Sequence, residues 1–166
     1  MTDAPANGGD VRGDADEVAI RRATAADASA AADVYLASFH ATYDFPLAHT
    51  DGEVREWITG FLTRGDAGGR STWVAEADGR IVALLVLDEE GIDQLYVDPS
   101  RLGRGIGSRL IALAKTERPG GLGLYTFQVN DRARRFYERH GFVATWFGDG
   151  SANEEGQPDV RYEWRP

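Results

Sequence analysis

The chain has no cysteine, one methionine and three histidines in 166 residues. Without cysteine there is no disulfide, no thiolate metal site and no cysteine nucleophile. His40, His49 and His140 do not have the spacing of metal-ligating histidines, so no metal is expected. No apolar run approaches the ~18 residues that a membrane span needs. The first residues are acids and glycines, where a secretory leader would carry a basic and then an apolar region. Cations are in deficit too: the net charge is −9, which argues against nucleic acid as the main partner. The default is a cytoplasmic protein without a membrane partner.

The charge that is present is unevenly placed. Residues 101–139 hold nine Lys or Arg against three acids, so that segment is +6 and the rest of the chain −15. A local pocket for an anion within an acidic body fits this pattern. Residues 1–17 contain five acids and almost nothing to bury, and read as a disordered acidic tail. Residues 18–166 read as one domain. Val18 to Arg22 suits a first strand, with Thr24 as a helix N-cap. Ala28, Ala31, Ala32, Tyr35, Leu36 and Phe39 keep helical spacing, as do Val54, Trp57, Ile58, Phe61 and Leu62. Two strands follow, Thr72 to Ala77 and Arg80 to Leu87, hinged at Asp78-Gly79. Leu122 to Val129 is another strand. A helix capped by Asn130 or Asp131 carries Ala133, Phe136, Tyr137 and His140 on one face and closes at Gly141. Phe142 to Phe147 and Val160 to Trp164 complete the strands, separated by a polar loop.

The stretch that organises the rest runs from Ile92 to Leu113. Leu95 to Val97 have strand character, Asp98-Pro99 stops the strand, and glycines stand at 103, 105 and 107. Ile106, Leu110, Leu113 and Ala114 then lie on one helical stripe. Amides at the start of such a helix sit at the positive end of its dipole and suit a phosphate. Other phosphate motifs fail. There is no lysine-bearing phosphate loop, and five residues separate the strand from the glycines, where a dinucleotide fingerprint has none.

The segments 95–110 (Leu-Tyr-Val-Asp-Pro, then Gly-Arg-Gly-Ile-Gly-Ser) and 130–142 (Asn-x-x-Ala-x-x-Phe-Tyr, then Gly-Phe) together resemble the GNAT superfamily of acetyl-CoA-dependent N-acetyltransferases. The resemblance implies an α/β (α+β) fold, with a mixed, mostly antiparallel central sheet of about seven strands flanked by about four helices. It implies transfer of an acetyl group from acetyl-CoA, as cosubstrate, to a primary amine by direct attack. The acceptor would be a small-molecule or peptide amine, and the protein a monomer or homodimer. A non-catalytic acyl-CoA-binding sensor or interaction module of the same fold is the alternative.

By that resemblance Leu95, Tyr96 and Val97 would splay from the neighbouring strand and bind the pantetheine arm through the backbone. Leu102, Gly103, Arg104, Gly105, Ile106, Gly107 and Ser108 would hold the pyrophosphate, and Arg101 could add a contact. Asn130 and Ala133 would flank the arm, Phe136 would pack on it, and Tyr137 would donate a proton to the coenzyme A thiolate. Glu89, Glu90 and Asp93 lie at the start of the fourth strand, and Glu90 or Asp93 is the candidate base. Strand alternation puts Asp93 and Gln94 on opposite faces, so only one of them should meet the substrate. The family usually places Gln or Arg where Leu102 stands, which removes a side-chain contact but leaves the backbone amides.

Overall fold

Adjacent residues on a strand point to opposite faces. Leu84 and Leu85 are both fully buried, so the strand that carries them must be covered on both sides. The computed structural model describes residues 17–166 and bears this out; apart from Glu17, the tail lies outside the described residues. That strand is β3 (Arg80–Leu87), inside a four-stranded antiparallel sheet with β1 (Ala19–Arg22), β2 (Ser71–Ala77) and β4 (Ile92–Val97), in the order β1-β2-β3-β4. One face meets α1 (Ala28–Thr42) and α2 (Asp51–Arg64), where Val74, Leu84 and Val86 pack on Leu36, Ile58 and Phe61. The other face meets α3 (Ile106–Glu117), where Leu85 and Leu87 join Ile106, Leu110 and Ile111. At about 1.5–3 kcal/mol for each large apolar side chain, these two layers supply the main stabilising term.

The remaining strands form a second antiparallel sheet: β5 (Leu122–Phe127), β6 (Val143–Phe147) and β7 (Asp159–Trp164), ordered β5-β7-β6. Seven mostly antiparallel strands and four α-helices are the architecture that the resemblance implied. The run from Leu122 stops at Phe127 because the chain turns there, with the Asn130 amide donating to the Phe127 carbonyl at 3.0 Å. Helix α4 (Asp131–Arg139) follows, capped by Asn130, whose Oδ1 accepts from the Ala133 amide at 3.0 Å. Its other end closes with Gly141 at φ 82°, Gly141 N donating to Glu138 O and Phe142 N to Tyr137 O. Among the described residues no helix is long and apolar enough to cross a membrane.

The two sheets are bridged through their backbones where β4 and β5 begin. Gly91 and Gly123 form a parallel bridge, and Gly123 N donates to Glu90 O at 2.9 Å. A Cβ on Gly91 would lie 2.3 Å from the Gly123 carbonyl oxygen, and its φ is 144°, so the junction admits no side chain there. Beyond it β4 and β5 run side by side without pairing. The result is a wedge, closed at the glycines and open where α3 and α4 begin.

Candidate active site

Hydrogen-bond alternation says what β4 offers to the wedge. Asp98 N donates to Val82 O at 2.8 Å, so Asp98 faces β3. In an antiparallel ladder alternate residues turn the other way. Val97 and Leu95, opposite Ala83 and Leu85, therefore direct their N–H and C=O groups into the gap toward β5. Tyr96 faces β3 through its backbone, and its ring packs on Tyr35 at 4.5 Å. A β4 edge with unpaired backbone groups is a template for an extended chain that carries amides of its own.

After β4 the chain makes a short turn over Pro99–Arg101, in which Asp98 Oδ1 accepts from Ser100 N and Oγ at 2.8 and 2.6 Å. Gly103 and Gly105 then adopt φ of 76° and 78°, the left-handed region that favours glycine. With Gly105 as N-cap, the amides of Ile106, Gly107 and Ser108 are the first of α3 and have no intrahelical acceptor. Leu102 is 40% exposed beside them. Arg101 borders the same space and pairs with Asp78, its Nη2 2.6 Å from Oδ2. Much of the basic segment is likewise used by the fold. Lys115 donates to His140 O, and Arg118 to the carbonyls of Asp88 and Gly69.

These parts surround one cleft of about 1390 Å³, large for a small-molecule site. All the expected cofactor-contacting residues border it except Arg104, which is exposed on the turn. From α4 come Asn130, Ala133, the ring of Phe136 and Tyr137. Tyr137 is only 8% exposed, packed by Phe136, Phe142 and Tyr162. Its hydroxyl has no hydrogen-bond partner among the described residues, and burial raises its pKa well above the ordinary tyrosine value. It is a phenol held neutral at the edge of the cleft.

The two candidate bases separate. The Glu90 side chain is 74% exposed and reaches Arg161 Nη1 at 3.4 Å, outside the cleft, because its backbone is fixed at the closed end of the wedge. Asp93 borders the cleft. Gln94 borders it as well, as does every residue of β4 from Ile92 to Val97. The β3–β4 register shifts between Val86 and Leu87, so Val86 pairs with Gln94 but Leu87 with Ile92, and strict alternation lapses at Asp93. Burial raises the Asp93 pKa above the usual carboxylate value, with Arg70 opposing the rise. Arg70 Nη2 lies 3.2 Å from Oδ2 without hydrogen-bond alignment, which leaves that oxygen buried and without a donor.

The far half of the cleft includes part of the long connection from Ser38 to Asp51, whose His40, Tyr43, Asp44 and His49 read from sequence either as specificity residues or as surface. The segment between α1 and α2 brings Tyr43, whose hydroxyl accepts from Asn130 Nδ2 at 2.8 Å, and His49, whose Nε2 lies 2.8 Å from Glu154 Oε2. Glu53, Glu154 and Glu155 border this half together with Tyr35, Trp57 and Phe127. His40, in α1, lies against Asp51 and does not border the cleft.

A family model described as an acetyltransferase (GNAT) domain matches residues 68–144. A peptidyl-lysine N-acetyltransferase, YjaB of Salmonella typhimurium strain LT2, is 32% identical over 126 residues, which span 75% of this chain and 81% of that protein. The chain belongs to the GNAT acetyltransferase family. Solved GNAT folds superpose accordingly. The solution structure of apo YjaB from Escherichia coli gives a TM-score of 0.72 at 24% identity, over 89% of this chain and 97% of that one. The PaiA N-acetyltransferase of Thermoplasma acidophilum, crystallised with coenzyme A, gives 0.68 at 18% identity, over 90% and 99%. In this GNAT chain the residues present fit coenzyme A. The unpaired edge of β4 suits a pantetheine arm, the first amides of α3 suit a diphosphate, and Tyr137 borders the same cleft. Among the described residues no group of three or more His, Asp or Glu is placed to hold a metal ion.

Proposed function

We propose that residues 18–166 form a single cytoplasmic N-acetyltransferase domain that moves an acetyl group from acetyl-CoA to a primary amine, with a lysine side chain in a peptide as the acceptor class. The observation that carries this is the wedge itself. It opens a backbone edge toward a cleft that ends at unpartnered helix amides on one side and a neutral phenol on the other. The amine nitrogen attacks the thioester carbonyl carbon and a C–N bond forms. The developing oxyanion is stabilised by an amide of β4 that faces the gap, Val97 or Leu95. As the C–S bond breaks, the departing thiolate takes the hydroxyl proton of Tyr137. The proton lost by the amine passes to Asp93, directly or through water. Ile106, Gly107 and Ser108 hold the diphosphate through their amides.

The acceptor is inferred from the far half of the cleft, where Glu53, Glu154 and Glu155 offer negative charge and aromatic faces offer contact for an alkyl stem. The name of the Salmonella relative agrees with a peptide lysine. The alternative, a sensor that binds acyl-CoA without turnover, predicts the same binding but no product. Calorimetric titration with acetyl-CoA, with ATP and NAD as controls, tests the donor site. Thiol release in the presence of lysine peptides, polyamines and amino sugars tests the reaction. Micromolar binding of acetyl-CoA alone and thiol release with lysine peptides support the reading; binding without release from any amine would favour the sensor, and no binding would refute both.

A further inference from the structure

Two hydrogen bonds fix the neutral tautomer of His140, just past the end of α4. Nδ1 lies 2.8 Å from the Phe136 carbonyl oxygen. A carbonyl only accepts, so Nδ1 carries a proton. Nε2 lies 3.0 Å from Ser108 Oγ. In the neutral ring Nε2 has only a lone pair, so the Ser108 hydroxyl donates to it. The same imidazole stacks on Phe136 at 4.5 Å, and Phe136 in turn lies against Gly107, where a Cβ would come within 3.1 Å of its Cζ. One ring thus braces two elements of the cofactor-facing wall, the first turn of α3 and the Phe136 face.

The direction of the Ser108 bond matters for an anion. With neutral His140 the serine hydrogen is turned toward the imidazole, and the oxygen presents lone pairs to its surroundings. Protonation of the ring reverses the bond: Nε2–H donates to Ser108 Oγ, and the hydroxyl hydrogen becomes available to a phosphate oxygen. We infer that His140 is a positioning residue acting through Ser108, which links binding of the coenzyme A diphosphate to uptake of a proton by the imidazole. The inference rests on the reading that the α3 turn holds the diphosphate.

The charged groups around the ring are mostly cationic. Lys115 of α3 donates to the His140 carbonyl at 2.6 Å and sits over Trp164 of β7. Arg109 follows Ser108 on α3, and Arg139 precedes His140 on α4. The carboxylate of Glu138 accepts from the Tyr162 hydroxyl. A bound diphosphate is therefore the new negative charge that favours the imidazolium, and by reciprocity the imidazolium favours the diphosphate.

Titration of the full chain with coenzyme A, at one pH in buffers of different ionisation enthalpy, counts the protons taken up on binding. Wild type should take up more than either His140→Gln or Ser108→Ala; the phosphates of coenzyme A contribute alike to all three. The affinity of wild type should fall as pH rises, by at most about tenfold per unit for one linked proton, and more steeply than in the variants. Ser108→Ala, an exposed position, keeps the test valid if His140→Gln unfolds. Equal proton counts with intact binding would overturn this inference alone. Failure of wild type to bind coenzyme A would overturn it together with the proposed donor site.

Discussion

Tyr137→Phe separates chemistry from stability because of where its hydroxyl sits. The substitution removes one oxygen and leaves the ring contacts with Phe136, Phe142 and Tyr162 in place. No hydrogen bond within the described residues is lost, so no partner is stranded. A buried hydroxyl without a partner costs about 1–3 kcal/mol, but this one borders the cleft and water can satisfy it. The expected gain in stability is thus between zero and about 1 kcal/mol, or up to about 4 °C in Tm for a chain of this size. Turnover should respond very differently. Loss of a general acid lowers kcat by about 10²–10⁴-fold. KM should stay within about twofold, because the proton is shared only as the C–S bond breaks. The assay is thiol release at saturating acetyl-CoA, paired with a thermal melt of the same preparation. A variant that melts normally and keeps kcat within about threefold of wild type would refute the assignment.

Asp27→Asn tests the link between β1 and α1. Asp27 is buried and accepts from Arg21, Thr24 N and Thr24 Oγ1, and the Arg21 hydrogen bond holds its pKa far below the usual carboxylate range. Because Arg21 is 40% exposed, we discount the cost of breaking a buried pair to about 1–3 kcal/mol, read by denaturant unfolding at neutral pH. A depressed folded-state pKa stabilises above the unfolded value of about 3.9, and that stability is lost as pH falls below it, so wild type and variant should converge in acid. Gly91→Ala drives a methyl into the Gly123 carbonyl, and should cost about 3 kcal/mol or more and lower Tm by about 6–12 °C. A melt within about 2 °C of wild type would mean that the wedge closes differently. Leu102→Arg places a cation beside the α3 amides, and should tighten coenzyme A binding by up to about fivefold in low salt and less in high salt; unchanged affinity at both would place the diphosphate elsewhere.

Local signals carried far along this chain. Gly105 before Ile106 and Asn130 before Asp131 mark the starts of α3 and α4, and both lie where the glycine spacing and capping chemistry put them. The strand read over Arg80 to Leu87 stands at those bounds. What local patterns do not show is whatever depends on partners distant in sequence. Arg101 borders the cleft and also pairs with Asp78 at 2.6 Å, across the hairpin. The register shift of β4 against β3 beside Asp93 leaves no trace within β4 itself. His140 read as one more residue on a helical face. Only the packing of α4 on α3 joins it to Ser108, 32 residues earlier. The acidic and aromatic far half of the cleft is built from residues 35–57 and 153–155, which no single motif spans.

The proton lost by the amine gives the strongest test of how the cleft is wired. Burial raises the Asp93 pKa, Asp88 pushes it the same way, and Arg70 pulls it down. A carboxylate works as a base only after it loses its proton, so kcat/KM should climb with pH through the folded-state value of Asp93, above the ordinary 3.9 or so, and then level off. A lysine acceptor titrates near 10.4, far enough away to give a separate limb. Arg70→Met removes the charge that favours the ionised form and should move the lower limb upward. With both side chains about a quarter exposed, solvent screens the pair, so the direction of the shift is the test. Asp93→Asn should abolish that limb and leave the upper one. If the lower limb survives Asp93→Asn, or stays in place in Arg70→Met, Asp93 does not receive the proton, and the amine must lose it to water held by other groups of the cleft.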